Sequence, residues 1–365
     1  MKVEILENGI VLASTDIASL TEELTVMSGS VSDDRKASVG RRTADWTVVD
    51  RTGVLSPLAP HMAVYPLRDR DVRLWRGIGD ELVPLATVQL SSLRMSGDLA
   101  GATYSLTGTD RSSTLAVSDW REPLEIEEGT TPDAATQAIL SQVDPGHTYI
   151  TAFGETEKTL DGMTFLPGED PDPWQAIAKI WESAAMEVFF NQMGVLRSQP
   201  IPNPTTVPIA WDYLDDEASI RLAPLGIDVD RSSLRNGVIV RGSAPWLLYG
   251  VSAEAWDTDS LSSTYYDPAH PSASNVGPHP EYIDDSLVSD ETEAQALADA
   301  KLPDVLGIEE QISLNAIPNP ALEAGDAVRI KAVEFNTAPR FIFDQLTTPL
   351  TYEGVQSANT RRRNR

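Results

Sequence analysis

The sequence predicts an α+β, mainly β protein in which strand-rich ends flank a helix-containing middle. Three observations predict it. Short runs rich in Val, Thr, Leu and Tyr, closed by Gly, Pro, Asp or Ser, recur through the first third of the 365-residue chain, as strands require. Cap-plus-proline helix starts open the middle at Thr131-Pro132 and Asp172-Pro173. Strand texture then returns from Val195 to about Glu353. A chain of this length has room for two or more domains of roughly 100–200 residues each. Its 41% hydrophobic and 23% charged composition is that of a folded protein.

In the first third, strands are expected at Val31–Arg35, Arg42–Asp50, Met62–Arg68, Leu82–Leu93 and Ala102–Thr109. The apolar positions of Thr43–Val49 partly alternate, and Tyr104 and Leu106 repeat that half-buried pattern. An antiparallel barrel or sandwich fits this texture best. The texture changes near Pro123. After the Thr131 cap, Ala135, Ile139, Leu140 and Val143 share one helical face. After Asp172, the residues Trp174, Ile177, Ala178, Trp181, Ala184, Ala185, Val188 and Phe189 recur at helical spacing, so one long helix is expected to run towards a stop at Gly194.

Strands are expected again at Val195–Arg197, Ile209–Tyr213 and Gly237–Ser243. Asp257–Asp285 is rich in Pro, Ser, His and Asp without periodicity and reads as a long surface loop. Asp290 caps a third helix to Leu302, with Glu293 at the capping-box position and Pro303 expected to end or kink it. Strands at Ile312–Leu314, Ala327–Lys331 and Arg340–Phe343 follow, and the basic Arg361–Arg365 is expected to lie disordered beyond the fold.

The charge balance excludes more than the pattern does. With 28 Lys+Arg against 55 Asp+Glu the net charge is −27, and a surface this negative disfavours binding to nucleic-acid phosphates through counterion release. Such a surface still lets DNA slide past. The absence of cysteine removes disulfides, thiolate zinc sites and a cysteine nucleophile together. Met1–Asn8 lacks the basic, apolar, small order of a signal peptide, and no apolar run approaches the ~20 residues of a membrane helix, so a soluble product made in the cytoplasm is expected.

Each chemical candidate has a plainer identity. Glu169, Asp170 and Asp172 offer carboxylates for a glycosidase pair, but Asp before Pro reads as a helix cap. Asp212, Asp215, Asp216 and Glu217, and Asp228 with Asp230, could ligate calcium yet lack the Gly and terminal Glu of an EF-hand. His61, His147, His270 and His279 show no zinc-binding spacing. No Gly-x-Ser-x-Gly elbow or phosphate loop occurs. Trp174, Trp181, Phe189 and Phe190 read as core, whereas Trp246, Trp256, Tyr265 and Tyr266 beside the long loop suit a partner surface.

The order of elements carries a resemblance. The helix Pro173–Asn191 running into Gln192-Met-Gly194-Val-Leu resembles a segment of phage tail hub proteins, where an amphipathic helix leads into a strand and an Asp-x-x-Gly turn; Asn191 stands in place of that Asp. Ser232–Gly242, with Asn236 before its apolar run, is similar to the family's central strand. The stretch from Asp290 to Pro318-Asn-Pro-Ala-Leu-Glu-Ala-Gly-Asp326-Ala-Val-Arg-Ile is similar to its closing barrel. The likeness spans the last two thirds of the chain and points to minor tail proteins of siphophages infecting actinobacteria; the first barrel, ending at Tyr104–Arg111, is compatible with it.

The resemblance implies a tail hub-like architecture of two barrel-like antiparallel β domains with an inserted helix-containing α/β region. It divides the chain into a first barrel at 1–120, a helix-containing α/β domain at 121–205, linking strands at 206–256, a long surface loop at 257–289, a helix with the second barrel at 290–355 and a disordered basic tail at 356–365. It further implies a homotrimeric structural virion protein at the tail tip, adapting a six-fold tube to a three-fold tip. Tail tube and distal tail proteins would lie above it, tail tip or receptor-binding proteins below. DNA would pass through the lumen without specific binding, with no membrane insertion, catalytic residue, metal or cofactor. The competing expectation is a carbohydrate-binding or glycoside-hydrolysing β-protein acting on host surface polysaccharide, which acidic composition and surface tryptophans also suit.

Overall fold

Thirteen strands of the computed structural model join a single sheet, and the two strand-rich ends of the chain meet within it. The structure describes residues 2–7, 10–11, 24–50, 71–78, 81–98, 101–203, 206–214, 226–242, 250–331 and 339–364. The expected strand Met62–Arg68 lies outside these residues, as do His61, Asp215, Asp216, Glu217 and Trp246.

The first half comprises β1 (Lys2–Glu7), β2 (Ile10–Val11), β3 (Leu24–Asp34), β4 (Arg42–Asp50), β5 (Asp71–Ile78), β6 (Glu81–Asp98) and β7 (Gly101–Thr109), followed by the short helix α1 (Ser112–Val117). They pair antiparallel in the order β3-β4-β7-β6-β5-β1-β2. β4 shows why: Ala44, Trp46 and Val48 point into a core with Val72, Leu74, Val88, Tyr104 and Leu106, while Thr43, Asp45 and Thr47 take the other face. β5 carries no strand signal in the sequence, because its Asp71-Val-Arg-Leu start mixes charge with apolar residues. All four are buried, Arg73 by donating to Thr87 Oγ1 at 3.0 Å and to the Met193 carbonyl at 2.8 Å.

The middle holds β8 (Leu124–Ile126), α2 (Pro132–Val143), β9 (Thr151–Ala152), β10 (Met163–Phe165), α3 (Pro173–Ser183), β11 (Met186–Phe190) and β12 (Leu196–Pro200). α2 buries Ala135, Ile139 and Leu140, as its spacing predicts. α3 starts where expected, with Asp172 accepting from the Gln175 amide at 3.0 Å. Its end is a correction: the helix stops at Ser183 instead of continuing towards Gly194. Ala185 turns into the left-handed region at φ 56, and the β-branched and aromatic Val188-Phe-Phe then pairs as β11 with β12. Gly194, at φ 75, closes that hairpin, where Asn191 Oδ1 accepts from the Met193 and Val195 amides. Trp181, 1% exposed, centres this region's core and donates Nε1 to Thr136 Oγ1 at 3.0 Å.

The remainder holds β13 (Ile209–Tyr213), β14 (Gly226–Arg235), β15 (Gly237–Gly242), β16 (Val251–Trp256), β17 (Pro280–Asp285), α4 (Glu291–Val305), β18 (Gly307–Ala316), β19 (Ala327–Ile330), β20 (Arg340–Pro349) and β21 (Gln356–Asn364). Among the described residues, no helix is long and apolar enough to cross a membrane. β15, β16 and β17 form a small sheet whose buried face packs on α4 through Val238, Val240, Ala253 and Leu297.

Three expectations are corrected in this part. The loop expected at 257–289 contains β17, which runs parallel to β15, so the irregular stretch ends before Pro280. Asn236, fully buried, ties that stretch down by accepting from the His279 amide and donating Nδ2 to the Gly277 carbonyl. Pro303 does not end α4 at Leu302; the Leu306 amide reaches the Leu302 carbonyl at 2.9 Å and closes a last turn beyond it. The basic end is no disordered tail: 356–364 is β21, inserted between β18 and β20. Gln356, Ala358 and Thr360 point inward, and Arg362 and Arg363 stand opposite Glu310 and Glu309 in register.

β20 pairs antiparallel with β3, Thr347 opposite Ser32. This joins the halves in the order β14-β18-β21-β20-β3-β4-β7-β6-β5-β1-β2, with β19 attached to β20 and β13 parallel to β19. A second core of Ile312, Leu314, Val328, Phe341, Phe343 and Leu346 underlies the C-terminal half.

Candidate functional site

Beside the β20–β3 seam, side chains from both halves and the middle converge on two adjacent arginines. Asp33, near the end of β3, accepts from Arg41 Nε at 2.9 Å through Oδ1, and from Arg42 Nη2 at 3.0 Å and the Ala324 amide at 2.9 Å through Oδ2. Arg42, 1% exposed, also donates to the Phe190 carbonyl at 2.6 Å and to Glu323 Oε2 at 2.7 Å. Arg41 donates to the Ala324 carbonyl at 2.5 Å and lies 3.9 Å over the Phe189 ring. Asp110 accepts from the Arg42 amide at 2.8 Å and from the Ser112 amide and hydroxyl.

Each carboxylate of this node is thus engaged by cations or amides, and each guanidinium spans two or three parts of the fold. The arrangement suits holding the parts at a fixed angle, because a planar guanidinium fork has few ways to satisfy all its partners. A cavity of about 360 Å³ lies alongside, lined by Arg35, Ser38, Trp174, Glu182, Glu187 and Lys301 among others. Its charges are matched internally: Arg35 pairs with Glu187 at 3.0 Å and Lys301 with Glu182 at 2.7 Å. Another buried arginine, Arg111, fastens β5 to the middle through Asp71 at 2.9 Å and Asp144 at 3.3 Å.

The candidates read from the sequence go elsewhere. Asp172 caps α3 and Asp170 accepts from the Leu166 amide, so both carboxylates serve local backbone. Asp212 is held in a bidentate pair by Arg329, which keeps its carboxyl below the usual range. Asp228 and Asp230 lie on β14. His270 contacts Asp267 at 3.0 Å, His279 meets Asn236 through its backbone, and His147 packs edge-on to Tyr149 at 4.6 Å. Among the described residues, no group of three or more His, Asp or Glu is disposed to hold a metal ion.

Trp174, Trp181, Phe189 and Phe190 are buried. Trp256 and Tyr266 pack on each other at 4.6 Å instead of facing outward, a correction to the expected aromatic surface, and Tyr265 is half-buried. The large apolar residues that are exposed include Trp211, Leu261, Tyr282, Tyr352 and Val355. The arginine node left no local trace, since its partners lie up to 291 positions apart in the chain; the adjacent Arg41 and Arg42 in so acidic a chain were the available signal.

Burial pushes the carboxyls of Asp110, Asp285 and Asp326 above the usual range, partly offset in each by amide donors, with Glu182 adding to the rise at Asp285 and Glu323 and Asp33 at Asp326. Such a group binds its proton in the folded chain at a pH where the unfolded chain, near 3.9, is still ionised. Its ionised form therefore destabilises the fold above the folded pKa, and that penalty is relieved as pH falls towards the unfolded value. Asp285 Oδ2 has no hydrogen-bond partner among the described residues. Asp285→Asn is accordingly expected to raise the urea midpoint near pH 7, and to raise it by less as pH falls to about 4, the range of the unfolded carboxyl. Equal shifts at both ends of that range would contradict this.

No protein-family model and no curated protein matches the chain. Solved structures do. A tail protein from Neisseria meningitidis MC58 superposes with TM-score 0.63 at 14% identity, covering 99% of this chain and 96% of its own. The 43 kDa tail protein of prophage MuSo2 from Shewanella oneidensis gives 0.62 at 10% identity, covering 100% and 98%. Prophage tail protein gp18 from Listeria monocytogenes EGD-e gives 0.55 at 9%, covering 100% and 95%. The likeness is one of fold over the full chain: a mainly β protein built as these tail proteins are.

Proposed function

We propose that the protein is a structural component of a phage tail tip, a hub whose three copies close head to tail into a ring around the DNA exit channel. The observation that carries this reading is the β20–β3 seam, which makes one sheet of two halves, each over its own core. Three copies of two barrel-like halves supply six similar positions, what a three-fold tip needs to meet a six-fold tube. The sheet also ends in unlike edges: among the described strands, β14 pairs only with β18, β13 only with β19 and β2 only with β1. Unlike edges of one sheet join heterologously, and such contacts close into rings. Tube and distal tail proteins would dock above, tip or receptor-binding proteins below, and the work is done by interfaces without catalysis. The full-chain likeness to solved tail proteins supports this reading.

The charge of −27 per chain opposes ring closure at low ionic strength, and salt screens that repulsion. Native mass spectrometry across a salt series is expected to show the monomer giving way to a trimer as salt rises. Association that weakens steadily with salt would contradict a ring of like-charged subunits held mainly by apolar contact.

A further inference from the structure

The face of the long sheet turned away from its cores has a chemistry unlike that of the chain. Asn315, Ser357, Thr347, Ser32, Thr43 and Thr109 stand directly opposite one another on the six consecutive strands β18, β21, β20, β3, β4 and β7, and none is buried. The row crosses the β20–β3 seam without a break. Every member is an uncharged hydroxyl or amide, where a protein surface at about 30% charged residues would place about two charges in six positions. On the neighbouring positions of this face Asp34 stands opposite Gln345, Asp45 receives the Thr107 hydroxyl at 2.7 Å, and Arg94 stands opposite Ser105. A chain with 55 acidic residues thus keeps charge out of the row that crosses the seam and sparse beside it.

We infer that this neutral face lines the bore, and that its lack of charge is what lets duplex DNA in transit pass without being held. Hydroxyls and amides keep a layer of bound water. Lysines or arginines there would retain phosphates through counterion release, and carboxylates would repel them. The dimensions agree: six strands at about 4.8 Å span about 29 Å, and three such spans closed into a circle frame a bore of roughly 27 Å. The inference rests on the ring proposed above.

The chain has no cysteine, so a single introduced thiol reports its own surroundings. The full-length Ser357→Cys chain is treated with biotin-maleimide and then streptavidin, as monomer at low salt and as trimer at high salt, with native mass read in parallel. The expected trimer accepts the small reagent and excludes streptavidin, while the free chain accepts both. A chain that never forms trimers overturns the ring and this inference with it. A trimer that binds streptavidin at the introduced thiol, or refuses the small reagent, leaves the ring standing and overturns the assignment of the face.

The neutrality is tested with Asn315→Lys/Ser357→Lys, both at exposed positions. The variant ring is expected to bind a short DNA duplex with a dissociation constant at least about tenfold lower than wild type near 0.15 M salt. Equal affinities would overturn charge as the operative property.

Discussion

Arg42→Ala is expected to lower the unfolding free energy by about 3–5 kcal/mol, the cost of leaving a buried ionic partner uncompensated. The loss has three sources. Asp33, buried at 6% exposure, keeps only Arg41 and the Ala324 amide; the Phe190 carbonyl loses its guanidinium donor; and Glu323 is released from the seam. Arg42→Lys retains the charge but cannot reach three partners in a plane, so an intermediate loss is expected. Because the node spans both halves and the middle, Arg42→Ala is also expected to reduce trimer yield at high salt. Urea denaturation checks the first effect and native mass spectrometry the second; a stability loss under about 1 kcal/mol would show that the seam alone sets the geometry.

Trp181→Ala is expected to cost a similar 3–5 kcal/mol, by a different route. The indole is 1% exposed, packs 4.8 Å from Phe153 between α2 and α3, and donates to Thr136 Oγ1. Removing it opens a cavity that two helices and a strand cannot close together. Trp181→Phe keeps most of the packing and forfeits the indole's hydrogen bond, for about 1 kcal/mol. If the two variants unfold at the same urea midpoint, the hydrogen bond and not the packing would be the main contribution.

Local rules read much of this fold from the amino acids. Arg42–Asp50 and Ile209–Tyr213 are strands with the expected bounds, and Asp172 and Asp290 cap their helices through the amides three residues on. The misreadings share a cause, which is that a distant partner decided the outcome. Val188 and Phe189 sit at helical spacing, yet β12 was available to pair with them and Ala185 turned the chain. β17 is acidic and holds a proline, but β15 offers it a parallel neighbour. The run Arg361-Arg-Arg-Asn364 reads as a tail by composition, yet it pairs in register with β18. The node at Asp33, Arg41 and Arg42 depends on residues from three parts of the fold, and no window of sequence contains it.

The central claim is that two barrel-like halves per chain make six similar positions in a closed ring of three. Electron microscopy of the purified full-length chain at high salt tests it most directly. Class averages are predicted to show a three-fold particle with six lobes around an open bore. Isolated single particles, or two-fold dimers without a bore, would contradict it.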